Sequence, residues 1–143
     1  MTIENKLQEL GLELPEAKTP VANYSAFVKS GNHIFVSGQV SQIKGKLGAD
    51  VSDEDGYKAA QQCGLGLLAQ LKLACDGDLS KIKSCVKLGV FVNSVDEFIG
   101  QPQIANGASD LIAETIGKHA RAAVSANSLP LGVAVEVEGI FEI

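Results

Sequence analysis

The chain has 143 residues, which is one domain's worth and enough for a single real core. Apolar residues make up 45% and charged residues 20%, the balance of an ordinary soluble globular protein, and with no Trp the core must be built from Val, Leu, Ile and Ala. The net charge is −5 and no cluster of Lys and Arg stands out, which argues against nucleic acid as a partner, because phosphate contacts need concentrated positive charge.

No apolar run approaches the ~20 residues of a membrane span. The opening stretch MTIENKLQELGLELPEA is charged and amphipathic and lacks the apolar centre of a signal peptide, so the expected location is cytoplasmic. Cys63, Cys75 and Cys85 are odd in number and widely spaced, and His33 and His119 are the only histidines. That pattern offers neither a disulfide framework nor a zinc site, and buried free thiols are the expectation.

In chain order, ENKLQELGLELP carries Leu7 and Leu10 at helical spacing and stops at Gly11. It predicts a short N-terminal helix, and Pro15 and Pro20 mark an extended connection after it, so residues 1–20 form a helix and extension. ANYSAFVKSGNHIFVSGQVS predicts a hairpin turning at Ser30-Gly31-Asn32, with Ile34, Val36, Gly38 and Val40 on one face. A glycine at position 38 inside a strand predicts a bulge or a close backbone approach.

SDEDGYKAAQQCGLGLLAQLKLACDG is the clearest helix. Ser52 is placed to cap it, Asp53, Glu54 and Asp55 suit the positive end of its dipole, and Asp76-Gly77 ends it. Tyr57, Ala60, Gly64, Leu67, Leu68, Leu71 and Cys75 form one apolar stripe. Gly64 and Gly66 weaken a helix by roughly 1 kcal/mol each against Ala, and the expected return is close helix–sheet packing.

KIKSCVKLGVFVNS alternates, with Ile82, Val86, Leu88, Val90 and Val92 on one face and Lys83, Cys85 and Lys87 on the other. Ser94 and Glu97 read as a capping box for the next helix, which Pro102 breaks or kinks and which resumes to Gly117. Two last strands, RAAVSA and VAVEVEGIFEI, are joined through Leu129-Pro130. In the final one Val133, Val135, Val137, Phe141 and Ile143 share a face, and Glu136, Glu138, Ile140 and Glu142 share the other. The order α, β, β, α, β, α, β, β predicts an α+β domain over residues 1–143: one mixed sheet, hairpins at both ends and two long helices on one face.

Three segments carry a family resemblance: VSGQ at Val36 to Gln39, VKLGVFVNSVDEF at Val86 to Phe98, and above all HARAAVSANSLPLGVAVEVEGI at His119 to Ile140. The sequence resembles the reactive intermediate deaminase family (Rid, YjgF/UK114, endoribonuclease L-PSP) from about Tyr24 to Ile143. The resemblance implies a chorismate-mutase-like subunit and a homotrimer with a central β-barrel, helices outside and clefts between subunits. It implies hydrolysis of enamines and imines such as 2-aminoacrylate to 2-keto acids and ammonia, with no metal and no cofactor.

Residue by residue, Arg121 matches the arginine that grips the substrate carboxylate, and Glu136 the carboxylate that positions or activates water. Tyr24 matches a cleft tyrosine and Asn106 a polar residue of the second long helix; Ala123 stands where many members have a cysteine, a position alanine can fill if only the backbone groups matter, whereas a thiol-dependent role would be lost. Tyr24 lies in NYS rather than the family's G-P-Y, and His119 stands where proline is common. With the Gln101-Pro102 break and the N-terminal extension, these mark a divergent subgroup.

Without the resemblance, Arg121 reads as a strand-end arginine and Glu136 as part of a solvated strand face. With it, the planar guanidinium fork suits a small carboxylate. His119 beside it is a cleft-edge, substrate-binding candidate. The runner-up function is a non-catalytic trimer that binds small carboxylates or regulates. Ribonuclease activity, the third, fits the acidic balance least.

Overall fold

A computed structural model describes residues Met1–Ile143. Three helices and five strands follow the predicted order: α1 (Ile3–Glu9), β1 (Phe27–Ser30), β2 (His33–Val40), α2 (Asp53–Ala74), β3 (Ser84–Asn93), α3 (Gln101–Thr115), β4 (Ala120–Ala126) and β5 (Val135–Glu142). The strands form one mixed sheet in the order β1-β2-β5-β3-β4. β5 runs antiparallel to both β2 and β3, so these two strands are parallel to each other with β5 inserted between them. The α2 connection thus spans a split βαβ unit, and α3 joins the directly paired parallel strands β3 and β4. The last two strands therefore make no hairpin: β5 takes the centre, where its Val135, Val137 and Phe141 are fully buried, and β4 takes the edge.

Both long helices cover one face of the sheet. Ile34, Val36, Leu88, Val90, Val92, Val135, Val137 and Phe141 meet Leu67, Leu68, Leu71, Ile104, Ala108, Leu111 and Ile112 in one apolar core. Ser52 caps α2 as its sequence predicts, its hydroxyl accepting from the Asp55 amide. Asp76 and Gly77 end that helix at φ 53° and 91°. The interhelical contact depends on missing side chains: a Cβ on Gly107 would stand 2.0 Å from the Tyr57 carbonyl oxygen, and one on Gly64 2.9 Å from Leu111 Cδ2. Gly64 thus serves helix–helix packing rather than the expected helix–sheet packing. Gly66 does face the sheet, where a Cβ would meet Gln39 at 3.1 Å.

Two bulges change which side chains face the core. The register slips between Val36 and Gln39 of β2, so Gln39 rather than Val40 turns inward. A second slip between Cys85 and Lys87 of β3 buries Cys85 and exposes Val86, the reverse of strict alternation. One extra residue inverts the phase of everything beyond it.

The start of α3 also differs from expectation. Gly100 precedes its first turn, and Pro102 sits within that turn, where its missing amide costs nothing. Ser94 caps no helix; its hydroxyl bonds the Val95 carbonyl and the Ser125 hydroxyl, at 3.0 and 2.7 Å. All three cysteines are buried free thiols.

Candidate functional site

The strand register divides the candidate residues between two faces of the sheet. Arg121 pairs with Leu88, and Ala123 with Val90, so both lie on the helix-covered face. Glu136 pairs with Phe91 and with Val40 and points to the open face. Within one chain, Arg121 and Glu136 therefore do not meet.

The Arg121 half is built by β4 and α3. Arg121 Nη1 donates to Asn106 Oδ1 at 2.8 Å and to Ser109 Oγ at 3.1 Å. Asn106 and Ser109 are three residues apart, hence neighbours on one helix face, while Gly107 and Ala108 between them turn to α2 and the core. His119 Nε2 lies 2.8 Å from the same Ser109 hydroxyl, and its Nδ1 lies 3.3 Å from the Gly117 carbonyl. Both protons of Nη1 are thereby engaged, and no bond within the chain uses Nε or Nη2. These two nitrogens form one edge of the guanidinium, the geometry that takes a carboxylate side-on. The structure thus gathers Arg121, Asn106 and His119, three residues singled out from the sequence, and adds Ser109. Sequence reasoning missed Ser109; its spacing of three from Asn106 on a helix was the available signal.

The Glu136 half is a groove of about 310 Å³ that Tyr24, Ser37, Gly38, Gln39, Pro130 and Leu131 help to line, with Lys18 and Pro20 of the N-terminal extension. Gly38 makes it possible: a Cβ there would lie 2.0 Å from Glu136 Oε2. Of the two expectations for this glycine the bulge is present; what approaches it closely is a side-chain carboxylate rather than a backbone. Burial, then the neighbouring Glu138, pushes the Glu136 carboxyl above its ordinary range. Tyr24 is half exposed at the groove wall, in a bend whose Ser25 carbonyl accepts from the Ser37 hydroxyl at 2.7 Å.

The opposite lip is held by Lys46, whose ammonium donates to Asn93 Oδ1 at 2.8 Å and to the Asn127 carbonyl. This anchors the β4–β5 loop that presents Pro130 and Leu131, the latter at φ 61°. Sequence reading did not single out Lys18, Gln39, Pro130 or Leu131 as site residues, although Gln39, Pro130 and Leu131 lie in segments that carry the resemblance. No group of three or more His, Cys, Asp or Glu side chains is placed to hold a metal.

A family model described as "YjgF/chorismate mutase-like, putative endoribonuclease" matches residues 4–139. The chain belongs to that family. It is similar to Protein TCP17 of Trypanosoma cruzi, 44% identical over 96% of this chain and 91% of that one. Among solved structures it is similar to Atu1372 of Agrobacterium tumefaciens, described as of unknown function, at 46% identity over 99% and 92% of the two chains with a TM-score of 0.93. It is also similar to a protein of Shewanella oneidensis described as a "putative endoribonuclease", at 34% identity over 100% of both chains with a TM-score of 0.95.

Proposed function

We propose that the protein hydrolyses reactive enamines and imines of the 2-aminoacrylate type to 2-keto acids and ammonia, in clefts between the subunits of a homotrimer. The observation that carries the reading is the state of Arg121: one nitrogen is spent on α3 and the Nε/Nη2 edge is left for an anion. Charge-assisted bonds to such a fork supply much of a three-carbon acid's affinity.

The chemistry asks little of the protein. The enamine tautomerises to an imine, water adds to the electrophilic C2, and the resulting aminoalcohol expels ammonia. Orientation, a carboxylate anchor and a placed water are the requirements. Glu136, with its raised proton affinity, is suited to exchange a proton with that water. Ala123 would offer backbone groups beside Arg121, and Tyr24 would close the groove near Glu136.

The placement of the two halves on opposite faces of the sheet supports a site completed between copies. The open sheet face exposes Phe35, Val86 and Val124, and β4 leaves one edge unpaired. A second copy packed there would cover the apolar side chains and could bring its groove to the Arg121 edge. The acidic balance argues against ribonuclease activity.

The test is 2-aminoacrylate generated in situ, with keto acid and ammonia measured. Wild type should accelerate their release. Arg121→Ala should abolish the acceleration and pyruvate binding while remaining folded, and Arg121→Lys should restore binding only in part. Glu136→Gln should lower kcat far more than it weakens pyruvate binding, because a group acting on water matters most in the transition state. Tight pyruvate binding without turnover would instead establish the non-catalytic carboxylate-binding trimer.

A further inference from the structure

We infer that Ser109 and His119 are positioning residues for Arg121: Ser109 fixes the guanidinium plane, and His119 fixes Ser109. The inference rests on the proposed role of Arg121 as the anion grip. It reassigns His119, which the sequence suggests as a ligand contact, to a residue acting through another.

A single hydrogen bond to Nη1 would leave the guanidinium free to pivot about that bond. Two acceptors on one nitrogen, Asn106 Oδ1 at 2.8 Å and Ser109 Oγ at 3.1 Å, fix the plane and so aim the Nε/Nη2 edge. Ser109 can serve only if a lone pair faces Nη1, which requires its hydroxyl proton to point elsewhere. His119 Nε2, 2.8 Å away, takes that proton when the neutral ring carries its own proton on Nδ1. The Gly117 carbonyl, 3.3 Å from Nδ1, selects that tautomer. From the Gly117 carbonyl through His119 and Ser109 to Arg121 Nη1, each donor thus meets an acceptor.

The charged surroundings leave this relay undisturbed. No carboxylate lies within 4 Å of His119 or Arg121, since the ion pairs of the chain are Lys58–Glu54 and Lys72–Glu4. Asp110, next to Ser109, accepts from the Tyr57 hydroxyl at 2.6 Å, and with Glu114 it lines a separate depression beside Leu10. Lys118 adjoins His119 in sequence and is exposed.

The test is a double-mutant cycle on the full chain with two readouts. The first needs no ligand: the order parameter of the Arg121 Nε–Hε group from ¹⁵N relaxation. It should fall in Ser109→Ala and in His119→Ala, fall no further in the double variant, and be retained in Ser109→Thr, which keeps the hydroxyl. The second is pyruvate titration. Each single alanine variant should bind about three- to tenfold more weakly, a loss of aim in a guanidinium that keeps its charge and its bond to Asn106, and the double variant no more weakly than Ser109→Ala. Circular dichroism and oligomer mass serve as folding controls. An unchanged Arg121 order parameter in Ser109→Ala overturns the inference. So does a His119→Ala loss that persists in full in the Ser109→Ala background, which would make His119 a direct ligand contact. Arg121 disordered in both single variants, in a protein that binds no pyruvate in any form, would uphold the relay and refute the function proposed for the site.

Discussion

Glu136 is an acid held against its inclination. Its carboxyl group is partly withdrawn from water, Glu138 repels it, and it makes no hydrogen bond within the chain; the first two raise its folded pKa above the ordinary value. A raised carboxyl pKa favours folding fully below the unfolded pKa, and that contribution is lost as pH rises through the folded value. At neutral pH the ionised group therefore opposes folding. Glu136→Gln should raise the melting temperature at pH 7, and the gain should shrink as pH falls through the ordinary glutamate range. Thermal scans of both proteins from pH 4 to 7 check this, and an equal gain at every pH would contradict it. The cysteines show the same physics. Burial pushes Cys85 up to about 12 and Cys63 higher, where the Cys63 thiol donates to the Val135 carbonyl at 3.3 Å, so neither is a thiolate at neutral pH.

At the scale of elements, the α2–α3 contact stands out, because a side chain on Gly107 would meet unyielding backbone at 2.0 Å. Gly107→Ala gains about 1 kcal/mol of helix propensity but forces the two helices apart, an overpacking that costs typically ~1–3 kcal/mol or more. Because α3 also carries Asn106 and Ser109, the displacement should reach Arg121 as well. The expected outcome is a lowered denaturation midpoint together with weaker pyruvate binding. Equilibrium denaturation and ligand titration of the variant measure both, and a midpoint at or above wild type would refute the close-packing account. Gly38 is the counterpart on the open face, the absent side chain that gives Glu136 its space.

For the whole molecule, the exposed Phe35, Val86 and Val124 and the unpaired edge of β4 leave apolar and hydrogen-bonding surface uncovered in one copy. The proposed trimer would cover it. Light scattering or sedimentation at micromolar concentration should give three times the 14.9 kDa chain mass. A stable monomer would remove the inter-subunit cleft, and with it the meeting of Arg121 and Glu136. No helix of the chain is long and apolar enough to cross a membrane.

The sequence by itself determined the order and kind of the elements, because burial imposes a period near 3.6 on α2 and α3 and a period of two on β3 and β5. It determined the α2 cap at Ser52 and flagged the irregularity of β2 at Gly38, since both depend on local chemistry. The family resemblance singled out Arg121 and Asn106, and adjacency to Arg121 singled out His119; the fold brings the three together. Tertiary structure alone decided the place of β5 between β2 and β3, because strand order depends on which apolar surfaces meet after long connections. The bulge at Val86 could not be read from alternation, since an inserted residue changes the phase without changing composition. Ser94 was free to act as something other than a cap because a neighbouring strand offered Ser125. The separation of Arg121 from Glu136 follows from parity across three strands, a property of register that no single stretch of sequence contains.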